Sequence, residues 1–228
     1  MPTLAMLHTV PALVETLEPL AAQALPGWRL AHKVDESLLA ETIRAGELTE
    51  ATRERLAEAV RHLADDADAV LVTCSTLGEA VDTLRPSTPV PLFRIDRGMV
   101  EEAVRRARRI GVLATLPTTL EPTGRLIEAT AAATGREVTM LARLCEGAFA
   151  HLAAGDRDSH DRLVREAFDA LAPEVELVVL AQASMARALP ASAGETVTVL
   201  TSPELGIAAV AATLTGRTPA TALSGREP

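Results

Sequence analysis

The chain has 228 residues, 48% of them hydrophobic, and a formal net charge of -9, enough apolar material for one large domain or two small lobes. With one Trp, three Phe and no Tyr there is no aromatic platform for stacking bases, and the acidic balance repels polyphosphates, so no nucleic-acid partner is expected. The two cysteines, Cys74 and Cys145, form neither a disulfide framework nor a metal-ligand spacing, which points to a reduced compartment and no metal. The first Lys or Arg is Arg29, and Pro11, Glu15, Glu18 and Pro19 interrupt any leader or membrane run; a soluble, cytoplasmic protein without membrane contact is the expectation.

Apolar runs bounded by turn residues predict strands over 4–7, 28–32, 69–73 and 90–93. Helical patterns lie between them; over 49–67, Leu56, Val60 and Leu63 fall on one face. Residues 96–109 predict a connecting helix with Glu101–Arg105 and Glu102–Arg106 as surface ion pairs, its cluster of arginines reading as a solvated face rather than an anion site. A second set of strands follows over 110–114, 137–141, 177–181 and 197–200, with helices over 119–134, stopped by Gly135, and 159–171, stopped by Pro173. This β-α-β alternation predicts an α/β fold of two pseudo-symmetric parallel-sheet lobes, with helices on both faces and a cleft between them. The lobes are read as 1–95 and 110–228, the later sequence returning where needed to complete the first. Residues 218–228 carry little apolar pattern and are expected to fray. The Ala-rich helices suit either a tight core or an interface, which leaves a homo-oligomer open.

In each half the third strand runs into a small polar turn. Val70-Leu71-Val72-Thr73 leads to Cys74-Ser75-Thr76, and Val178-Val179-Leu180-Ala181 leads to Gln182-Ala183-Ser184-Met185, 108 residues later. Both turns lie at carboxyl ends of parallel strands, where α/β proteins bind their ligands. A thiol at such a turn meets free backbone N–H groups and the positive end of a helix dipole, both of which favour thiolate, so Cys74 is the expected base or nucleophile. Its other reading is a small buried hydrophobe; the polar neighbours Thr73, Ser75 and Thr76 favour the first. Ser75 and Thr76 can donate to a carboxylate or enediolate oxygen, or simply cap a helix. The first strand of each half also ends in polar groups, His8-Thr9 and Thr115-Leu116-Pro117-Thr118-Thr119. Their hydroxyls suit a small oxyanion, with Thr119 alternatively a helix cap. His8 is either a second acid or base or a satisfied structural histidine. The Gln182 amide and the Ser184 hydroxyl can bind a carboxylate or carbonyl but exchange no proton at useful pH. Cys145 reads as a buried helix-start residue or a group reaching the cleft. His151, His160 and 155–159 read as a surface loop and the cap of the next helix.

These motifs, with Ile110-Gly111-Val112-Leu113-Ala114-Thr115, resemble the aspartate/glutamate racemase superfamily, which includes hydantoin racemases, maleate isomerases and arylmalonate decarboxylases. The resemblance covers nearly the whole chain and implies two pseudo-symmetric lobes around a cleft and no metal, pyridoxal or nucleotide cofactor. It further implies an enzyme of amino-acid metabolism in which two cysteines flank a carbon acid, one removing a proton and the other returning it on the opposite face. Cys74 matches the first; Gln182 stands where the second belongs. The decarboxylase branch uses one cysteine and a hydroxyl-lined carboxylate pocket, its thiol in the other half. Taken with the residues of the turns, the expected substrate is a small carboxylate, held by Thr9, Ser75, Thr76, Thr115, Thr118, Thr119, Gln182, Ala183 and Ser184, with Cys74 and His8 as the expected catalytic groups. The implied activity is that of a racemase or isomerase acting next to that carboxylate; the alternatives are a single-cysteine decarboxylase or lyase, and a non-catalytic carboxylate binder.

Overall fold

The computed structural model describes residues 1–189 and 193–216; the tail expected to fray, 218–228, lies outside them. Among the described residues eight strands form two four-stranded parallel sheets. The first holds β1 (Thr3–His8), β2 (Arg29–Val34), β3 (Ala69–Val72) and β4 (Leu92–Arg94) in the order β2-β1-β3-β4. The second holds β5 (Arg109–Ala114), β6 (Thr139–Leu144), β7 (Leu177–Leu180) and β8 (Thr198–Thr201) in the order β6-β5-β7-β8. The two orders are the same, and the fold is the expected α/β pair of lobes. The central strands β1, β3 and β7 are buried along their whole length, as continuous apolar runs covered on both faces must be, whereas the edge strand β2 carries Arg29, His32 and Lys33 and is half-exposed.

The helices fill the crossovers: α1 (Ala12–Ala24), α2 (Glu36–Ala45), α3 (Glu50–Ala64), α4 (Gly78–Leu84) and α5 (Arg97–Arg106) in the first half, then α6 (Pro117–Thr134), α7 (Ala148–Ala153), α8 (Arg157–Leu171), α9 (Ala193–Thr196) and α10 (Ser202–Thr215). Their ends follow local chemistry. Pro117 opens α6 where its missing N–H costs nothing, and Gly135 closes it at φ 63, a left-handed conformation that glycine adopts without strain. Asp156 accepts from Ser159 N at 3.1 Å to start α8.

Several expectations are corrected. The sixth strand lies at 139–144 rather than 137–141, because its register pairs Arg109 with Thr139 and Ala114 with Leu144. On α5, Glu102 holds both Arg105 and Arg106, and Glu101 lies 4.0 Å from Arg97 instead of pairing with Arg105. His160, expected at the surface, is fully buried and bonded to Asp161 at 2.7 Å.

The lobes exchange helices. α5 follows the first sheet but buries Met99, Val100, Ala103 and Val104 against Ile110, Val112 and Val179 of the second. α10 follows the second sheet but buries Ile207, Val210 and Ala211 against Leu4, Met6 and Leu71 of the first. The two helices cross at a pair of glycines: a Cβ on Gly98 would lie 2.4 Å from the Leu205 carbonyl oxygen, and one on Gly206 2.1 Å from that of Ile95. Gly98 and Gly206 are 108 residues apart, the same interval as Cys74 and Gln182. Among the described residues no helix is long and apolar enough to cross a membrane, and no cluster of three or more His, Cys, Asp or Glu could hold a metal ion.

Candidate active site

The site is built by the ends of β3 and β7. In each, a run of apolar residues sustains the strand to its end, the second residue past it is extended (Cys74 at φ -111, Gln182 at φ -129), and the chain then turns into a 3-10 helix over Ser75–Leu77 or Ala183–Ala188. Between the two turns lies a cavity of about 640 Å³, a size typical of small-molecule sites. Thr9, Cys74, Ser75 and Thr76 reach it from the first half, and Thr119, Gln182, Ala183 and Ser184 from the second.

Cys74 is 7% exposed. Burial pushes its thiol pKa above the ordinary value, against the thiolate expected from the turn; the Thr9 hydroxyl beside it, the Thr76 hydroxyl and the Thr76 and Leu77 N–H groups pull the other way without prevailing. The proton therefore stays on sulfur at rest, while groups that would stabilise an anion surround it. The Thr9 hydroxyl falls short of full hydrogen-bond geometry and has no other partner among the described residues, which leaves its hydrogen for a ligand.

Gln182 is locked from one side. Its Oε1 accepts from Thr115 N at 2.6 Å and from Thr115 Oγ1 at 3.0 Å. Because a backbone N–H can only donate, the amide orientation is fixed and the NH2 group turns away from Thr115. Across the cleft, the Thr76 and Thr119 hydroxyls meet at 2.8 Å, a buried bond between the two halves. One hydrogen serves that bond, and the other remains available to a ligand.

Three of the residues expected at the site stand behind its wall. Thr115 acts on Gln182 as described. Thr118 does not line the cavity, and its buried hydroxyl has no partner among the described residues. His8 is also absent from the wall, fully buried between Thr73 and His32 at 3.0 Å each. Since the Thr73 hydroxyl donates to the Leu7 carbonyl, His8 Nδ1 donates to Thr73 and His8 Nε2 accepts from His32. Burial, helped by the neighbouring His32, lowers the His8 pKa to about 4, so the ring is neutral. Cys145 sits in the core with Leu113, Val164 and Phe168, its pKa pushed up to about 11 by burial.

What the sequence reading missed is the upper wall. Leu39 and Ile43 of α2 and Phe149 and Leu152 of α7 line the cavity, together with Val10, Leu13 and Leu116. The signal was present: cavity residues 36, 39, 40, 43 and 44 on α2, and 149, 152 and 153 on α7, recur at the spacing of one helix face. The opposite face of α2 buries Leu38 and Thr42, so this helix carries more apolar surface than one core contact needs.

A family model described as Asp/Glu/Hydantoin racemase matches residues 7–210. No curated protein sequence matches the chain. Among solved structures it is similar to a glutamate racemase from Bacillus anthracis, with a TM-score of 0.76 and 17% identity over 94% of this chain and 82% of that one. It is similar to glutamate racemase from Francisella tularensis in complex with D-glutamate, at 0.73 and 13% over 99% and 86%. Allantoin racemase from Klebsiella pneumoniae gives 0.67 and 17% over 99% and 97%.

Proposed function

We propose, because the chain belongs to the Asp/Glu/hydantoin racemase family, that it is an isomerase that works with a single thiol, Cys74, on a carbon next to a carboxylate. Membership fixes the class as a racemase or isomerase-type enzyme. The finer reading is supported by one observation above all: the cavity wall carries one thiol, and the position facing it across the pseudo-symmetry carries an amide whose oxygen is already taken by Thr115.

One thiol suffices for two isomerisations. As a base, once its own proton has passed to solvent, Cys74 removes the α proton of an acid with a β,γ double bond, the charge spreads onto the carboxylate oxygens and the γ carbon, and the same sulfur returns the proton to the γ carbon on the same face, which leaves the double bond conjugated with the carboxylate. As a nucleophile, it adds to a carbon-carbon double bond, the new single bond rotates, and the sulfur leaves. In both cases Ser75, Thr9 and the free hydrogen of the Thr76–Thr119 pair receive the growing oxyanion, with the Gln182 NH2 group as a further donor. The reading asks for no cofactor and places the enzyme in the cytoplasm, in amino-acid or related carboxylic-acid metabolism.

A second reading, decarboxylation, is favoured by the resting thiol: a sulfur that holds its proton can hand it to the enediolate left when carbon dioxide departs. Amino acids, hydantoins, malonates and maleate, each incubated in D2O and followed by NMR, separate the readings. Deuterium uptake or isomer conversion that falls about 10²–10⁴-fold in Cys74→Ala supports the isomerase; Cys74-dependent loss of carbon dioxide from malonates supports the lyase. Turnover unchanged in Cys74→Ala would overturn both.

A further inference from the structure

We infer that the acid accepted by this cavity carries one carboxylate and a bulky apolar substituent, aryl or branched alkyl, and is not a dicarboxylate. The inference deepens the proposed function and rests on it in taking the hydroxyl-lined floor as the seat of the carboxylate.

The cavity has two chemically distinct ends. Hydroxyls, the thiol and the Gln182 amide converge on the floor, where β3 and β7 end. The walls above belong to α2 and α7, which follow the second strand of each lobe and therefore stand in equivalent places on either side of the mouth. They present Leu39, Ile43, Phe149 and Leu152, and Val10 and Leu13 add further apolar lining. Among the described residues the only charged side chains on the lining are Glu36 and Arg44, both on exposed turns at the two ends of α2.

A ligand with a second carboxylate would have to place it against these apolar walls. Among the described residues no buried cation stands there, and of the polar donors of the lining only those of the floor are buried, so the charge would lose its water without replacement. Arg44 is exposed, and a flexible ion pair at a rim compensates little. An aryl or branched alkyl group in the same place removes its own surface and that of both helices from water. The volume of about 640 Å³ leaves room for such a group beside a carboxylate.

The test is calorimetric titration of the full chain with three unreactive probes: phenylacetate, acetate and succinate. Phenylacetate should bind at least tenfold more tightly than either of the others. Ile43→Lys and Leu152→Arg, each placing a cation in one wall, should each weaken phenylacetate about tenfold and strengthen succinate; two variants on different helices guard against one that fails to fold. Succinate binding as tightly as phenylacetate, or no binding by any probe, overturns the inference. Deuterium exchange keeps the two proposals apart. Cys74-dependent exchange into aspartate but not into 2-phenylpropanoate leaves the isomerase standing and removes this substrate class. A phenylacetate preference with exchange unaffected by Cys74→Ala does the reverse.

Discussion

At the Cys74 sulfur, burial and hydrogen bonding act in opposite directions, and burial prevails. The consequence is measurable in the free protein. Alkylation by iodoacetamide should be slow at neutral pH and climb only as the pH passes the ordinary thiol value of 9.0, because only the thiolate attacks. A rate already at its plateau near pH 7 would show that the N–H and hydroxyl groups prevail instead. Gln182 makes the complementary point. Its fixed amide follows from one backbone N–H of Thr115, a residue that does not line this cavity, and nothing local signals the pairing because the two are 67 positions apart. Hydroxyl residues after a strand are visible in a sequence; which of them face a cavity and which hold a neighbour in place is decided by the strand register.

Elements were legible where one physical signal dominated. The continuous apolar runs marked β1, β3, β5 and β7, and Gly135 and Pro173 marked the ends of α6 and α8. Edge strands were placed less well, because β6 is half-exposed and its span depends on hydrogen bonding to β5 rather than on its own hydrophobicity. The buried ion cluster went unread: Arg94, 3% exposed, bonds both oxygens of Asp96 and one of Asp82, and nothing local distinguishes that arginine from its solvated neighbours. The crossing of α5 and α10 was equally hidden, since a glycine within a helix signals close approach only once the partner is known. At that crossing Gly206→Ala would press a methyl group against the Ile95 carbonyl. The expected cost is about 2–3 kcal/mol, which for a chain of this size lowers Tm by roughly 5–10 °C. Thermal denaturation checks this, and an unchanged Tm would mean that the helices part at no cost.

For the whole molecule, the pseudo-repeat was the most readable feature, since the interval from Cys74 to Gln182 sets two equal halves before any contact is known. Stability as a function of pH is also a property of the whole chain. Below 6.5 the unfolded chain protonates His8, whereas the folded chain refuses the proton until about pH 4; stability should therefore be full above 6.5 and fall through that window. Above 9.0 the unfolded chain loses the Cys145 proton, which the fold retains to about 11, so stability should fall again there. The His8 contribution is of the order of 2–3 kcal/mol; urea unfolding across pH should show the acid limb, and His8→Asn should flatten it. The exchange of α5 and α10 bears as well on how the chain is made. The ribosome releases the strands of the first sheet in order, yet α10, which packs on Leu4, Met6 and Leu71, emerges only after every strand of the second sheet. At about 5–20 residues per second, that sheet face waits for seconds with only α1 against it on every newly made chain, a period in which chaperone capture and misassembly compete with folding.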